Sequence, residues 1–177
     1  MKKIFSPDFY FGDVFSITPD FLLSNGISLL ILDIDNTLVT YAEARPTDRV
    51  YEWTDKMKAA GIKLSIASNN HGKRVDTFAE TLDVFTVSDS NKPSIKPVKL
   101  ICEHYLAKPS DTAVIGDQIF TDVVCANRAG AVAILVRPLP YNENLFFRFK
   151  RFFERPIIKK FKSEHPDKCF LKGENGQ

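Results

Sequence analysis

Between residues 27 and 136, strand-sized apolar runs alternate with segments of helical period, and this alternation confines the chain to one class of fold. Residues 27–32 are apolar except for Ser28, the mark of a strand buried on both faces. In 47–60, Val50, Trp53, Met57 and Ala60 fall on one helical stripe, which Gly61 ends. Residues 63–67 read as a second strand. Val75, Phe78, Ala79 and Leu82 return to helical spacing, and 84–87 read as a short third strand. Val98, Ile101, Cys102 and Tyr105 mark another helix, 112–115 a fourth strand, 120–129 a helix closed by Gly130, and 131–136 a fifth strand. Such an order builds a mainly parallel sheet with helices on both faces and right-handed crossovers. The expected architecture is therefore α/β, a three-layer Rossmann-like sandwich on a five-stranded sheet. Ligands of these folds bind beyond the carboxyl ends of the strands.

The flanks differ from this body. Residues 1–26 are aromatic and turn-rich and are expected to pack on the 27–140 domain as an extension. Residues 141–162 predict basic amphipathic helices, and 163–177 a polar tail. The whole chain, 177 residues, is one domain's worth, and its 44% hydrophobic and 26% charged residues exclude general disorder. Cys102, Cys125 and Cys169 are too few and too far apart for a disulfide framework or zinc site. They predict reduced thiols and a cytoplasmic setting. No apolar run reaches the roughly 18 residues of a membrane span, and none follows Lys2 and Lys3 as a secretory leader requires.

Polar residues stand at the strand ends. Asp33-Ile34-Asp35-Asn36-Thr37-Leu38 follows the first strand, Ser68-Asn69-Asn70 the second, and Gly116-Asp117 the fourth, with Thr121-Asp122 close behind. Asn91-Lys92-Pro93 precedes the helix marked by Val98. Each alone reads as a turn or helix cap. Gathered at one sheet edge, four carboxylates would repel without a counter-charge. A hard divalent cation with oxygen ligands answers this, and Mg²⁺ is the natural choice.

This ordered set resembles the haloacid dehalogenase-like (HAD) phosphatase superfamily across residues 27–136. More narrowly it is similar to the capless class III branch, in the family that joins YqeG-type proteins with phosphatidylglycerophosphate phosphatases. The resemblance implies a phosphomonoester hydrolase. Asp33 would be the nucleophile that forms an aspartyl-phosphate. Asp35, on the same side of an extended chain, would protonate the leaving alcohol and then activate water. The carboxylates of Asp33 and Asp117, with the main-chain carbonyl of Asp35, would hold Mg²⁺. Ser68, the Asn69 amide and Thr37 would meet the phosphoryl oxygens. Lys92 would neutralise phosphate and nucleophile, with Lys96, also before a proline, as the alternative. Asp122 would orient metal water or the lysine. His71 could face substrate or simply lie on the surface.

Nine residues separate Thr37 from Thr47, and 71–91 have room for one helix and a short strand. Neither gap holds a cap domain, since a domain needs about 50 residues. An open site suits a bulky or surface-presented substrate. Residues 144–162 add Arg148, Lys150, Arg151, Arg155, Lys159, Lys160 and Lys162 against Glu154 alone, whereas the whole chain is only +2, so the rest is acidic. At about 100° per residue, Leu145, Phe146, Phe149, Phe152, Phe153 and Ile157 share one face and the cations the other. That pattern fits a helix lying on anionic lipid or a last helix packed on the sheet. If both hold, Phe147, Ile158 and Phe161 are left to reach a membrane. Pro156 is expected to split the segment into two helices. A lipid phosphate such as phosphatidylglycerophosphate is the favoured substrate. A soluble phosphatase and a non-enzymatic phospho-ligand sensor are the alternatives, and nucleic acid is disfavoured.

Overall fold

The computed structural model describes residues 4–70, 72–140 and 145–171. In chain order the elements are β1 (Phe9–Phe11), α1 (Pro19–Ser24), β2 (Leu29–Leu32), α2 (Asp48–Ala59), β3 (Lys63–Ala67), α3 (Lys73–Leu82), β4 (Phe85–Val87), α4 (Lys96–Tyr105), β5 (Thr112–Gly116), α5 (Val124–Ala129), β6 (Val132–Val136), α6 (Leu145–Glu164) and β7 (Cys169–Phe170). The described strands pair in parallel, in the order β4-β3-β2-β5-β6-β1-β7.

The sheet thus has seven strands where the sequence predicts five. Both additions come from the flanks. β1 lies between β6 and β7, so the N-terminal segment is part of the sheet as well as an extension on it. Residues expected as a polar tail supply β7. Strands of three and two residues are too short to show a period. Aromatic contact holds them: the Phe11 and Phe170 rings stack at 4.5 Å between centroids, and Phe21 meets Phe11 edge-on at 5.0 Å.

Successive side chains of a strand face opposite ways, and the two cores follow that parity. Leu30, Leu32, Leu64 and Ile66 pack against Val50, Trp53 and Met57 of α2 and Phe78 of α3. Leu29, Ile31, Val114 and Leu135 pack against Val98 and Ile101 of α4, Ala126 of α5 and Phe161 of α6. Each fully buried Leu, Ile or Phe contributes about 1.5–3 kcal/mol. Trp53 is core, as its stripe predicts, and its Nε1 donates to Ile17 O at 2.9 Å.

α6 is one helix through Pro156, not two. Proline removes one helical hydrogen bond and crowds the carbonyl four residues back. Tertiary contacts on both sides hold the helix regardless. Glu154, fully buried, accepts from Ile119 N (2.8 Å) and Phe120 N (3.2 Å), and Phe161 is buried in the core. The outward face also differs from expectation. Phe149, Phe152 and Phe153 are 64%, 64% and 48% exposed, whereas Ile157 and Ile158 pack on the core. Phe147 and His71 lie outside the described side chains. No described helix is long and apolar enough to cross a membrane.

Candidate active site

The β2 ladder runs one residue past its end, because Asp33 N donates to Ile115 O at 2.9 Å. The chain then turns tightly. Ile34 O accepts from the N–H groups of Thr37, Leu38 and Val39 at 3.2, 2.9 and 3.2 Å, with Asn36 at φ 59°, a left-handed conformation that asparagine tolerates. The turn separates the two aspartates. Asp33 is buried toward β5, while the Asp35 carboxylate accepts from Asn70 Nδ2 (2.7 Å) and Arg74 Nη2 (2.9 Å). Arg74 also donates to Thr40 O at 3.3 Å.

Lys92 lies at the centre of the site. Its Nζ donates to Asp33 Oδ1 and to Ala67 O, each at 2.7 Å, and forms an ion pair with Asp122 Oδ1 at 2.7 Å. Burial opposes the ammonium charge, but Asp122 and Asp33 outweigh it and hold Lys92 above the usual lysine range. Lys96 is exposed at the start of α4, so Lys92 is the lysine at this site.

The Asn69 side chain is engaged within the protein. Its Oδ1 accepts from Lys92 N (2.8 Å) and Ser90 Oγ (2.7 Å), and its Nδ2 donates to Lys92 O (3.0 Å). Both ends of the amide therefore fasten the Lys92 loop. Ser68 is buried beside it, and its Oγ accepts from Asn70 N at 3.1 Å. The Thr37 Oγ1 is buried with no partner among the described residues.

Asp33, Asp117 and Asp122 each offer an oxygen within 4.8 Å of the others. Asp122 thus joins the acidic triad, and the Asp35 carboxylate lies apart from it. A π-type turn, Ile119–Val123, brings Asp122 back toward β5. Gly116 makes room for it, since a Cβ there would stand 2.2 Å from Asp122 Cγ. Burial pushes Asp33 up to about 8 and Asp117 up to about 6. Lys92 opposes the shift at Asp33, Arg151 opposes it at Asp117, and neighbouring carboxylates add to both.

Arg151 of α6 donates to the main-chain oxygen and Oδ2 of Asp117, and to Glu154 Oε2 at 3.2 Å. Asp117 Oδ1 is buried and has no hydrogen-bond partner among the described residues. That orphaned oxygen, aimed into a carboxylate triad with a single lysine, fits a divalent cation with oxygen ligands. Arg151, Glu154, Arg74 and Asn70 are site residues that the sequence reading did not pick out. Glu154, the one acid in a basic stretch, was the available signal for the first two.

A cleft of about 720 Å³ opens from Asp117 between residues 136–140 and α6. It is lined by Leu139 and Pro140 on one side and by Arg148, Phe149, Phe152 and Arg155 on the other.

A family model, mitochondrial PGP phosphatase, matches residues 2–138. The chain belongs to the PGP phosphatase family. Its resemblance to the probable phosphatase YqeG of Bacillus subtilis (strain 168) is 38% identity over 162 residues, 92% of this chain and 94% of that protein. The cobalt-bound deoxy-D-mannose-octulosonate 8-phosphate phosphatase YrbI of Haemophilus influenzae shares the fold at TM-score 0.53 and 13% identity, over 79% of this chain and 91% of that one. A HAD-superfamily hydrolase of Ehrlichia chaffeensis does so at TM-score 0.52 and 18% identity, over 75% and 98%. This PGP phosphatase family member is a phosphatase, a phosphoric monoester hydrolase, and its fold is that of the HAD-superfamily hydrolase.

Proposed function

We propose that the enzyme removes the terminal phosphate of phosphatidylglycerophosphate, or of a lipid phosphate much like it, at an anionic membrane surface with Mg²⁺. One observation carries the lipid reading: the exposed Phe149 and Phe152 line a cleft that starts at Asp117. An apolar aromatic surface on a helix that also exposes Lys159 and Lys160 suits anionic lipid, where each basic residue adds about 1 kcal/mol. The capless site leaves room for a substrate held in a bilayer.

Asp33 Oδ attacks phosphorus in line, and the bond from phosphorus to the leaving oxygen breaks as the aspartyl-phosphate forms. Asp35 gives its proton to the departing alkoxide. It then takes a proton from the water that attacks phosphorus and frees Asp33 with inorganic phosphate. Asn70 and Arg74 orient the Asp35 carboxylate for both transfers. Lys92, fastened by Asn69, offsets charge on the nucleophile and the phosphoryl oxygens. Ser68 and Thr37 present hydroxyls to those oxygens. Asp33, Asp117 and Asp122 are the carboxylates placed to hold Mg²⁺ or to orient its water. A bound cation would stabilise the charge that develops in transfer.

The test is phosphate release from phosphatidylglycerophosphate in mixed micelles with Mg²⁺, comparing wild type with Asp33→Asn. Turnover by wild type alone is the expected result. Asp33-dependent hydrolysis of an aryl phosphate, with no release from the lipid, would retain the chemistry and reject the substrate.

A further inference from the structure

We infer that the cleft between residues 136–140 and α6 is a second anion subsite, which takes the phosphodiester of the lipid substrate against Arg148 and Arg155. The inference rests on the lipid-phosphate reading and gives that substrate's second phosphate a place.

The near end of the cleft is fixed to the reaction centre at two points. Asp117 of the acidic triad lines it. Leu139, on the opposite wall, donates its N–H to Asn36 O at 2.9 Å, within the loop that carries Asp33 and Asp35. A group leaving the reacting phosphate along this cleft meets α6 next. Arg148 and Arg155 are seven residues apart, two helical turns, and therefore share one side of the helix. Both are exposed at the cleft. Arg151 lies between them but is turned inward onto Asp117 and Glu154. The rim thus has two arginines whose planar forks match phosphate oxygens. Phe152, four residues after Arg148 and three before Arg155, lies on the same stripe between them, and both it and Phe149 are exposed at the cleft.

The cleft volume, about 720 Å³, lies in the ordinary range for small-molecule sites. A phosphate at Asp33, a second anion at the arginines and an aliphatic stretch against the phenylalanines between and beside them are the groups of a glycerol-linked bisphosphate lipid. A plain monophosphate leaves the arginines without a ligand, so the subsite discriminates through KM.

Soluble probes separate this contact from attraction to a charged surface. Glycerophosphoglycerol phosphate, the deacylated form of the lipid, keeps the phosphodiester, and glycerol 3-phosphate lacks it. The KM ratio of these two is measured for wild type, Arg148→Gln/Arg155→Gln and Arg148→Lys/Arg155→Lys. The glutamine pair is expected to shrink the wild-type preference for the diester about tenfold, and the lysine pair to restore part of it. An unchanged ratio in the glutamine pair, from an enzyme that hydrolyses phosphatidylglycerophosphate in micelles, overturns the subsite. So does a loss confined to micellar substrate, which assigns the arginines to the lipid surface. If wild type releases no phosphate from the lipid, the parent reading fails first, before any variant is compared.

Discussion

Arg151 holds both the main-chain oxygen and one carboxylate oxygen of Asp117, 34 positions earlier in the chain. The C-terminal helix is thereby tied to the acidic triad, and the other Asp117 oxygen is left facing it. Arg151→Leu is expected to weaken Mg²⁺ affinity by about 10–100-fold, the usual effect of losing a group that orients a ligand. Titration of aryl phosphatase activity with Mg²⁺ reads this out. Wild-type affinity in the variant would remove Arg151 from any such role. Deletion of residues 144–177 should likewise impair hydrolysis of soluble substrates, because it takes Arg151 and Glu154 away with the exposed aromatics.

The two lysines that precede prolines separate cleanly. Lys92→Met should cut kcat by at least about 100-fold, as loss of one charge-stabilising donor does. Lys96, exposed on α4, is expected to tolerate the same change within about twofold. Comparable losses from the two variants would contradict the geometry.

The metal-free protein should lose stability as pH rises. Asp33 has a folded value of about 8 against an ordinary 3.8, so the folded state binds this proton more tightly than the unfolded state. The stability so contributed is full below about pH 4 and is lost as pH climbs through about 8. Asp117, raised to about 6, acts with the same sign at lower pH. Thermal melts of chelated wild type and Asp33→Asn across this range give the comparison, with a flatter profile expected for the variant. Added Mg²⁺ should raise the wild-type Tm more at the alkaline end. Parallel profiles would refute the assignment to Asp33.

Gly116→Ala places a methyl group on Asp122 Cγ. Overpacking of this kind costs about 1–3 kcal/mol, and here it also pushes Asp122 off Lys92. Urea unfolding and kcat should fall together. Wild-type values for both would mean that the turn carrying Asp122 gives way without consequence.

Legibility in the sequence followed reach. β2 and β5 are visible because burial on both faces leaves continuous apolar runs. Asp33, Asp117 and Lys92 are visible because they stand at strand ends or before a helix, where local order already fixes their place. β1 and β7 are not, since strands of three and two residues carry no period and are held by Phe11, Phe21 and Phe170 from distant segments. The hold of the Asn69 amide on Ser90 and Lys92 is not visible, a loop closure that no spacing rule foretells. On a helical wheel Arg151 is one surface cation among several. Apart from the neighbouring Glu154, what distinguishes it is its contact with Asp117, 34 positions away.

The segment from α6 to β7 closes both the sheet and the acidic triad. β1, made early, gains both neighbours only when β6 and then β7 have followed it. Asp33 and Lys92 find each other without α6, but Asp117 depends on it for its guanidinium partner. One segment thus serves two distant parts of the molecule at once: whatever loosens it opens an edge of the sheet and releases a carboxylate of the acidic triad.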